Sequence, residues 1–339
     1  MNRNELQLLA ELSDPDEGVV RALAALDGDL ILLGAGGKMG YGVALMALRA
    51  FQMAGRSNRV IAVSRFNSSD VAEQLRLEGI EAIACDLLDV DAVRALPEAG
   101  NVISMVGQKF GTASQPGQTW VTNTVVPAHI AQRYCDSQIV VLSSGNAYPF
   151  VPVTSGGATE ATPLSPIGEY AQSAVGRERI FEHFSLTHGT PMTLVRLNYA
   201  NETRYGVLVD IAMNVRKGEP IDVTMGHVNA VWATDANRVV LKCFELTDSP
   251  PSVINVAGPE ALKVRALALA FGEAFGVEPV IVGTEAASAL LSDSSKCWQR
   301  FGGPEATTDY MIRRIAGWIM EGYPTWERPT RFEVRSGAF

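Results

Sequence analysis

The feature that most constrains this chain is an alternation of short apolar runs and helical patterns. "DLILLG" leads into "YGVALMALRAFQMAG", "RVIAVSRF" into "SSDVAEQLRLEG", "IEAIACDL" into "DVDAVRALP", "NVISMVG" into "NTVVPAHIAQRYC", and "QIVVLSSG" closes the series. The runs "PMTLVRLNYA", "VNAVWATDANRVVLKCFEL" and "SVINVAG" extend it. Apolar strands separated by helices form a parallel sheet covered on both faces, so the fold class is α/β with a doubly wound parallel sheet. The later stretches "EALKVRALALAFGEAFGV" and "TTDYMIRRIAGWIM" are helical, with "EPVIVG" between them, and read as a smaller C-terminal α/β cap domain. The expected division is a helical extension at 1–28, a dinucleotide-binding domain at 29–198 plus 229–257, and a cap at 199–228 plus 258–339. "PTRFEVRSGAF" has no clear pattern and is expected to pack on the body or on another subunit.

The first strand runs into "GAGGKMG". The spacing G-x-x-G-x-x-G fits Gly34, Gly37 and Gly40, whereas G-x-G-x-x-G fails because residue 39 is Met. One glycine makes the tight turn, one lets backbone approach a pyrophosphate, and one lets helix pack on strand, with the helix N-terminus facing the anion. Lys38 and Met39 belong to the same loop. After the second strand an acid would bind the ribose hydroxyls of NAD. No acid lies from Val60 to Asn67, and Ser64 and Arg65 suit a 2′-phosphate, so NADP is favoured over NAD. Asp86 and Leu87, past the third strand, could meet an adenine edge, and Asp86 could equally cap a helix.

Composition narrows the partners. Of 339 residues 47% are apolar and 19% charged, with net charge −9, which opposes nucleic acid. The four cysteines are dispersed, without metal-ligand spacing or a disulfide framework. The first residues carry acids through their apolar stretch and do not resemble a signal peptide, and no run approaches a membrane span. Residues 1–27 read as two short helices, the second started by "SDPDE" with its capping side chain and its Pro in the first turn. A cytoplasmic protein acting on a small molecule is expected.

In this order the motifs resemble the extended short-chain dehydrogenase/reductase family, the NAD(P)-dependent epimerase/dehydratase group, over roughly residues 29–320. The resemblance implies a Rossmann-type sheet, a nicotinamide ribose near Val106 in "NVISMVG", and a cofactor-side Asn123. "LSSGNAYP" resembles the family's serine segment, implying Ser144 as the catalytic serine with Ser143 in reserve, and "LVRLNYA" places Asn198 at the cofactor. "GEYAQSAVGRER" resembles the active-site helix, with Tyr170 as acid/base. Asn146, Tyr148, Arg204 and His227 occupy segments that line the family's substrate cleft, while His129, His183 and His188 read as surface groups. A homodimer is a family expectation.

One departure matters. The family's lysine, four residues past the tyrosine, is Ala174 here. A tyrosine with its pKa near 10 is a poor base at neutral pH unless a cation stabilises the phenolate. Seven residues at ~100° each put Arg177 only ~20° from the azimuth of Tyr170, though ~10 Å along the axis. Its side chain leans toward the helix N-terminus and recovers part of that distance. Lys109, past the fourth strand, is the alternative cation. The implied function is an NAD(P)-dependent oxidoreductase or epimerase acting on a sugar or sugar-acid-like carbinol. The alternative is a catalytically altered NADP-binding sensor or regulatory protein of the same fold.

Overall fold

The computed structural model describes residues 3–66 and 69–338. Ser68, where the helix "SSDVAEQLRLEG" is expected to begin, lies outside the described residues, as does Asn67 at the end of the acid-free stretch. Seven strands form one sheet: β1 (Leu30–Leu33), β2 (Val60–Ser64), β3 (Glu81–Ala84), β4 (Asn101–Ser104), β5 (Gln138–Ser144), β6 (Met192–Leu197) and β7 (Ser252–Val256). Their order is β7-β6-β5-β4-β1-β2-β3. Strand β1 pairs in parallel with β2 and β4, β2 with β3, and β4 with β5. This is the doubly wound, Rossmann-type order, reversing between β1 and β4.

Among the described residues, eight α-helices accompany the strands up to β6: α1 (Arg3–Leu12), α2 (Glu17–Ala24), α3 (Gly40–Met53), α4 (Ser69–Leu77), α5 (Val90–Arg94), α6 (Pro116–Trp120), α7 (Val126–Arg133) and α8 (Gly168–His188). Alternate strand residues Ile31, Leu33, Ile61, Val63, Ile139 and Val141 bury one sheet face against Val126 and Ile130 of α7 and Phe181 of α8. Each fully buried aliphatic contributes about 1.5–3 kcal/mol, so this layer fixes α8 on the sheet.

The helix expected from Asn123 starts earlier. Between α6 and α7 lies one π-helical turn, Val121–Val125, closed by the Val126 N–H on the Val121 carbonyl. Pro127 explains it: a mid-helix proline lacks an N–H and clashes with the carbonyl four residues back, and a wider turn accommodates both. Asn123 lies in that turn.

At the N-terminus the two expected helices form, with Asp16 as the cap of α2, accepting from the Val19 N–H at 2.7 Å. Pro15 therefore precedes the helix and does not occupy its first turn. Helix α10 (Ala233–Lys242) holds this extension through Lys242 to Asp16 (2.6 Å) and Asn237 to the Leu12 carbonyl (2.9 Å).

The chain divides into two compact units, Met1–Ser144, Glu169–Arg196 and Asn237–Ile254, against Gly145–Gly168, Leu197–Ala236 and Asn255–Phe339. The second unit has its own core. Val207, Ile211 and Val215 of α9 (Val207–Lys217) pack with Leu267 and Phe271 of α11 (Val264–Phe275) and with Met311 and Ile315 further on. The C-terminal segment packs on this body: Thr330 donates its N–H and hydroxyl to Asp210.

Candidate active site

Four loops gather at the carboxyl edge of the sheet in the first unit. After β1, Gly34 takes φ +92°, and a Cβ there would lie 3.0 Å from the Val106 nitrogen. A Cβ on Gly40, the first residue of α3, would come within 2.1 Å of the Ala35 carbonyl, so helix and turn close only on glycine. Gly36, outside the G-x-x-G-x-x-G register, is less restricted, because a Cβ there would lie 2.6 Å from the Ser64 hydroxyl, which can turn aside. Gly36 and Gly37 are exposed. Open glycine backbone at the positive end of a long helix fits a dinucleotide pyrophosphate. Lys38 and Met39 are half-buried in this turn, and Met39 makes no side-chain cap.

Ser64 ends β2 beneath Gly36, and Arg65 beyond it is exposed. Past β3, Asp86 accepts from the Leu88 N–H (3.0 Å), and the cap of α5 is Asp89. Asp86 is thus a turn former, which corrects the capping alternative. The Leu87 side chain is buried in the core cluster, and its carbonyl lies 3.1 Å from His129 Nδ1, so His129 is tied in as well as surface-facing.

Helix α8 carries the decisive cluster. Ala174 is fully buried, and Arg177 is 4% exposed despite its charge. The Arg177 guanidinium donates to the Leu142 carbonyl of β5 and to Asn123 Oδ1, both at 2.8 Å. It lies under the loop past β4: a Cβ on Gly107 would be 2.7 Å from it. Asn123 is buried with its hydrogen-bonding positions taken, by the Gln108 N–H, Gln108 carbonyl, Ser173 hydroxyl and Arg177. It therefore holds Arg177 and the β4 loop, where a direct cofactor contact was expected. Arg177 has no carboxylate partner within ion-pair distance among the described residues, and its Nε is buried without a hydrogen bond. Burial pushes its pKa down, while the charges of Tyr170 and Glu178 favour the protonated form. It stays a cation at neutral pH and cannot relay a proton. Tyr170 is half-buried near the helix start, and its carbonyl accepts from Ser173.

Ser143 donates to Glu178 Oε1, and Glu178 is bridged by Arg196 of β6 at 2.7 Å. Ser143 is thus committed to Glu178, while Ser144, 5% exposed, ends β5 beside it. Lys109 is half-buried past β4, its Nζ 5.8 Å from the Phe110 ring centroid.

In the second unit, Asn146 and Tyr148 line one cleft, and the Tyr148 hydroxyl donates to Asn255 (2.8 Å). Asn198 is 2% exposed beside Gly145, its backbone N–H on the Val256 carbonyl. Arg204 pairs with Glu202 (3.1 Å) and stacks over Trp326, so its charge is compensated at home and it is not among the cleft residues. His227 lies in a two-residue strand opposite Lys263, its pKa lowered by burial and by that lysine. The described residues contain no candidate metal cluster, and no helix among them is long and apolar enough to cross a membrane.

The model of the NAD dependent epimerase/dehydratase family matches residues 31–257. The chain belongs to that family. It is thus an NAD-dependent enzyme by family, as the glycine turn and the motif order imply. Among the curated proteins none matches the sequence. Its fold is similar to that of UDP-glucose 4-epimerase from Thermotoga maritima, with 16% identity and TM-score 0.71 over 87% of this chain and 99% of that one. UDP-glucuronic acid 4-epimerase from Bacillus cereus aligns with 14% identity and TM-score 0.73, covering 87% of this chain and 100% of the other. Thermus thermophilus UDP-glucose 4-epimerase, in complex with NAD, gives 18% identity and 0.70 over 85% and 98%. At these identities the likeness is one of fold. Gln108 belongs to the Arg177 cluster without having been singled out by any motif. It brackets Asn123 from both backbone groups, and its only signal was its place after β4.

Proposed function

We propose that this epimerase-family protein is an NAD(P)-dependent oxidoreductase or epimerase acting at a carbinol or carbonyl of a sugar or sugar-acid-like small molecule, with Tyr170 as acid/base. The supporting observation is the buried Arg177 guanidinium, fixed by Asn123 and Leu142 and acting electrostatically on Tyr170. A cation held by neutral acceptors keeps its field for a neighbouring phenolate, which a paired one would lose. Tyr170 takes the carbinol proton, Ser144 orients the oxygen by hydrogen bonding, and Arg177 stabilises the phenolate without exchanging protons. Lys109 is the remaining candidate cation. The bound dinucleotide supplies hydride acceptance and return at the carbon. Gly34, Gly37 and Gly40 hold its pyrophosphate, with Lys38 and Met39 alongside. Val106, Leu87 and Asp86 flank the cofactor loops, and Asn198 extends the site.

The NADP preference rests on Ser64 and Arg65 alone. The family is named for NAD, and tighter binding of NAD than NADP would end that preference. The homodimer and a cytoplasmic location are further proposals, the first open to light scattering. For the chemistry, Tyr170→Phe is expected to lower turnover about 10²–10⁴-fold while cofactor binding persists. Unchanged turnover would refute the acid/base assignment. The reading as a sensor draws on the buried Ala174, where the family's lysine is missing. It would prevail if cofactor binds and no sugar or sugar acid is turned over.

A further inference from the structure

The N-terminal helices α1 and α2 precede β1 and carry no residue of the proposed chemistry. They pack on α3, whose other side lies on β2. The sequence of α3 reflects both covers. Gly42, Val43, Ala44, Leu45, Met46 and Ala47 are all buried, and six consecutive helical residues sweep about 600°, so this part of the helix is enclosed all round. Leu8, Leu9, Leu12, Val19 and Leu23 of the extension are buried in turn.

The tightest approach lies just behind the glycine turn. Gly42 is the third residue of α3, within the first turn, whose N–H groups have no partner inside the helix. A Cβ there would lie 2.8 Å from Asn237 Nδ2 and 3.2 Å from the Leu12 carbonyl oxygen. Asn237 is 2% exposed and donates that same Nδ2 to the Leu12 carbonyl at 2.9 Å, so the extension, Asn237 and the first turn of α3 meet at one point. Glycine is a poor helix former, and here it lets the extension close on the helix. Arg49, seven residues on and therefore within ~20° of the same azimuth, donates to the Ala10 carbonyl (3.0 Å), the Ser13 carbonyl (3.3 Å) and the Ser13 hydroxyl (2.7 Å). The end of α1 is thus clamped along one stripe of α3. That helix has no side-chain cap, which leaves the N–H groups of its first turn for an anion. An anion held by backbone N–H groups is sensitive to any shift of the helix that carries them, because such bonds need distance and angle together.

We propose that Asn237, with the end of α1 that it anchors, is a positioning residue of the dinucleotide site: it holds the first turn of α3 in place and so sets cofactor affinity, and bound cofactor in turn tightens the extension. This rests on the reading of the glycine turn as the pyrophosphate site and extends it to residues that touch no cofactor. The test is calorimetric titration of the full chain with NAD, with melting temperature and hydrogen exchange followed on the same samples. Asn237→Ala is expected to bind NAD about 3–10-fold more weakly at a temperature where it is fully folded. Because coupling is reciprocal, NAD is expected to slow exchange of the amides of residues 8–13 in the unaltered chain, and to slow it less in the variant. A merely structural tie would lower the melting temperature and move neither readout. Unchanged NAD affinity in Asn237→Ala, or exchange in residues 8–13 that ignores NAD, would overturn the proposal. If Asn237→Ala does not fold, Arg49→Met releases Ala10 and Ser13 from the same stripe, and undiminished NAD affinity in it would overturn the proposal equally. Gly37→Asp separates this from the reading of the glycine turn, since a carboxylate in that exposed turn repels a pyrophosphate. NAD binding that survives Gly37→Asp removes the glycine-turn reading and this proposal with it. Binding lost in Gly37→Asp and unaltered in Asn237→Ala removes this proposal alone.

Discussion

Two arginines are buried where α8 meets the sheet, and they keep different company. Arg196 bridges Glu178, which also takes the Ser143 hydroxyl, so its charge is neutralised within the triad. Arg177, the residue before Glu178, is held by an amide and a backbone carbonyl and carries its charge uncompensated. A closed pair fixes α8 against β5 and β6 and projects little field. A cation on neutral acceptors is costly to bury and keeps its field.

The largest expected effect falls on the closed pair. Glu178→Ala leaves the buried Arg196 without its carboxylate, and should cost about 3–5 kcal/mol of stability in urea denaturation. A loss below about 1 kcal/mol would break the contrast by making the triad dispensable. Arg177→Gln addresses the other side. Removing that cation should lower turnover at neutral pH about 10–100-fold in steady-state kinetics, with cofactor binding kept. If Lys109→Ala lowers turnover and Arg177→Gln does not, Lys109 is the working cation.

Gly107→Ala sharpens the position of Arg177, because the new methyl would lie 2.7 Å from its guanidinium. Displacement should cost about 1 kcal/mol, seen as a roughly fivefold fall in turnover with little change in melting temperature. The smallest effect belongs to His227, whose folded pKa is depressed. Its contribution to stability is full above the unfolded value of ~6.5 and is lost as pH falls from there through the folded pKa. A His227→Gln chain should show a flatter fall in melting temperature over that acidic range, and an unchanged slope would remove His227 from the account.

Much of this was legible in the chain. The strands, their parallel pairing and the turn at Gly34–Gly40 follow from local apolar runs and glycines whose conformational demands are local too. The helical azimuth already pointed Arg177 toward Tyr170. Its partners were not legible, because Asn123 lies 54 residues away and reaches it through a π-turn at Pro127. The family resemblance put Ser144 ahead of Ser143, but the commitment of Ser143 to Glu178 was not legible, since it depends on the position of Glu178 on a packed α8. Arg204 and Arg335 likewise look alike in the chain, each two residues past a glutamate, yet Glu202 pairs with the first while no carboxylate among the described residues pairs with the second.

The sequence by itself determined the architecture and the glycine turn at its carboxyl edge, because hydrophobic periodicity and backbone freedom act over a few residues. Which buried charges are neutralised, and which face a site, was decided by tertiary structure alone. A charge's environment is set by groups brought within a few ångströms from distant parts of the chain, and no local pattern encodes that neighbourhood.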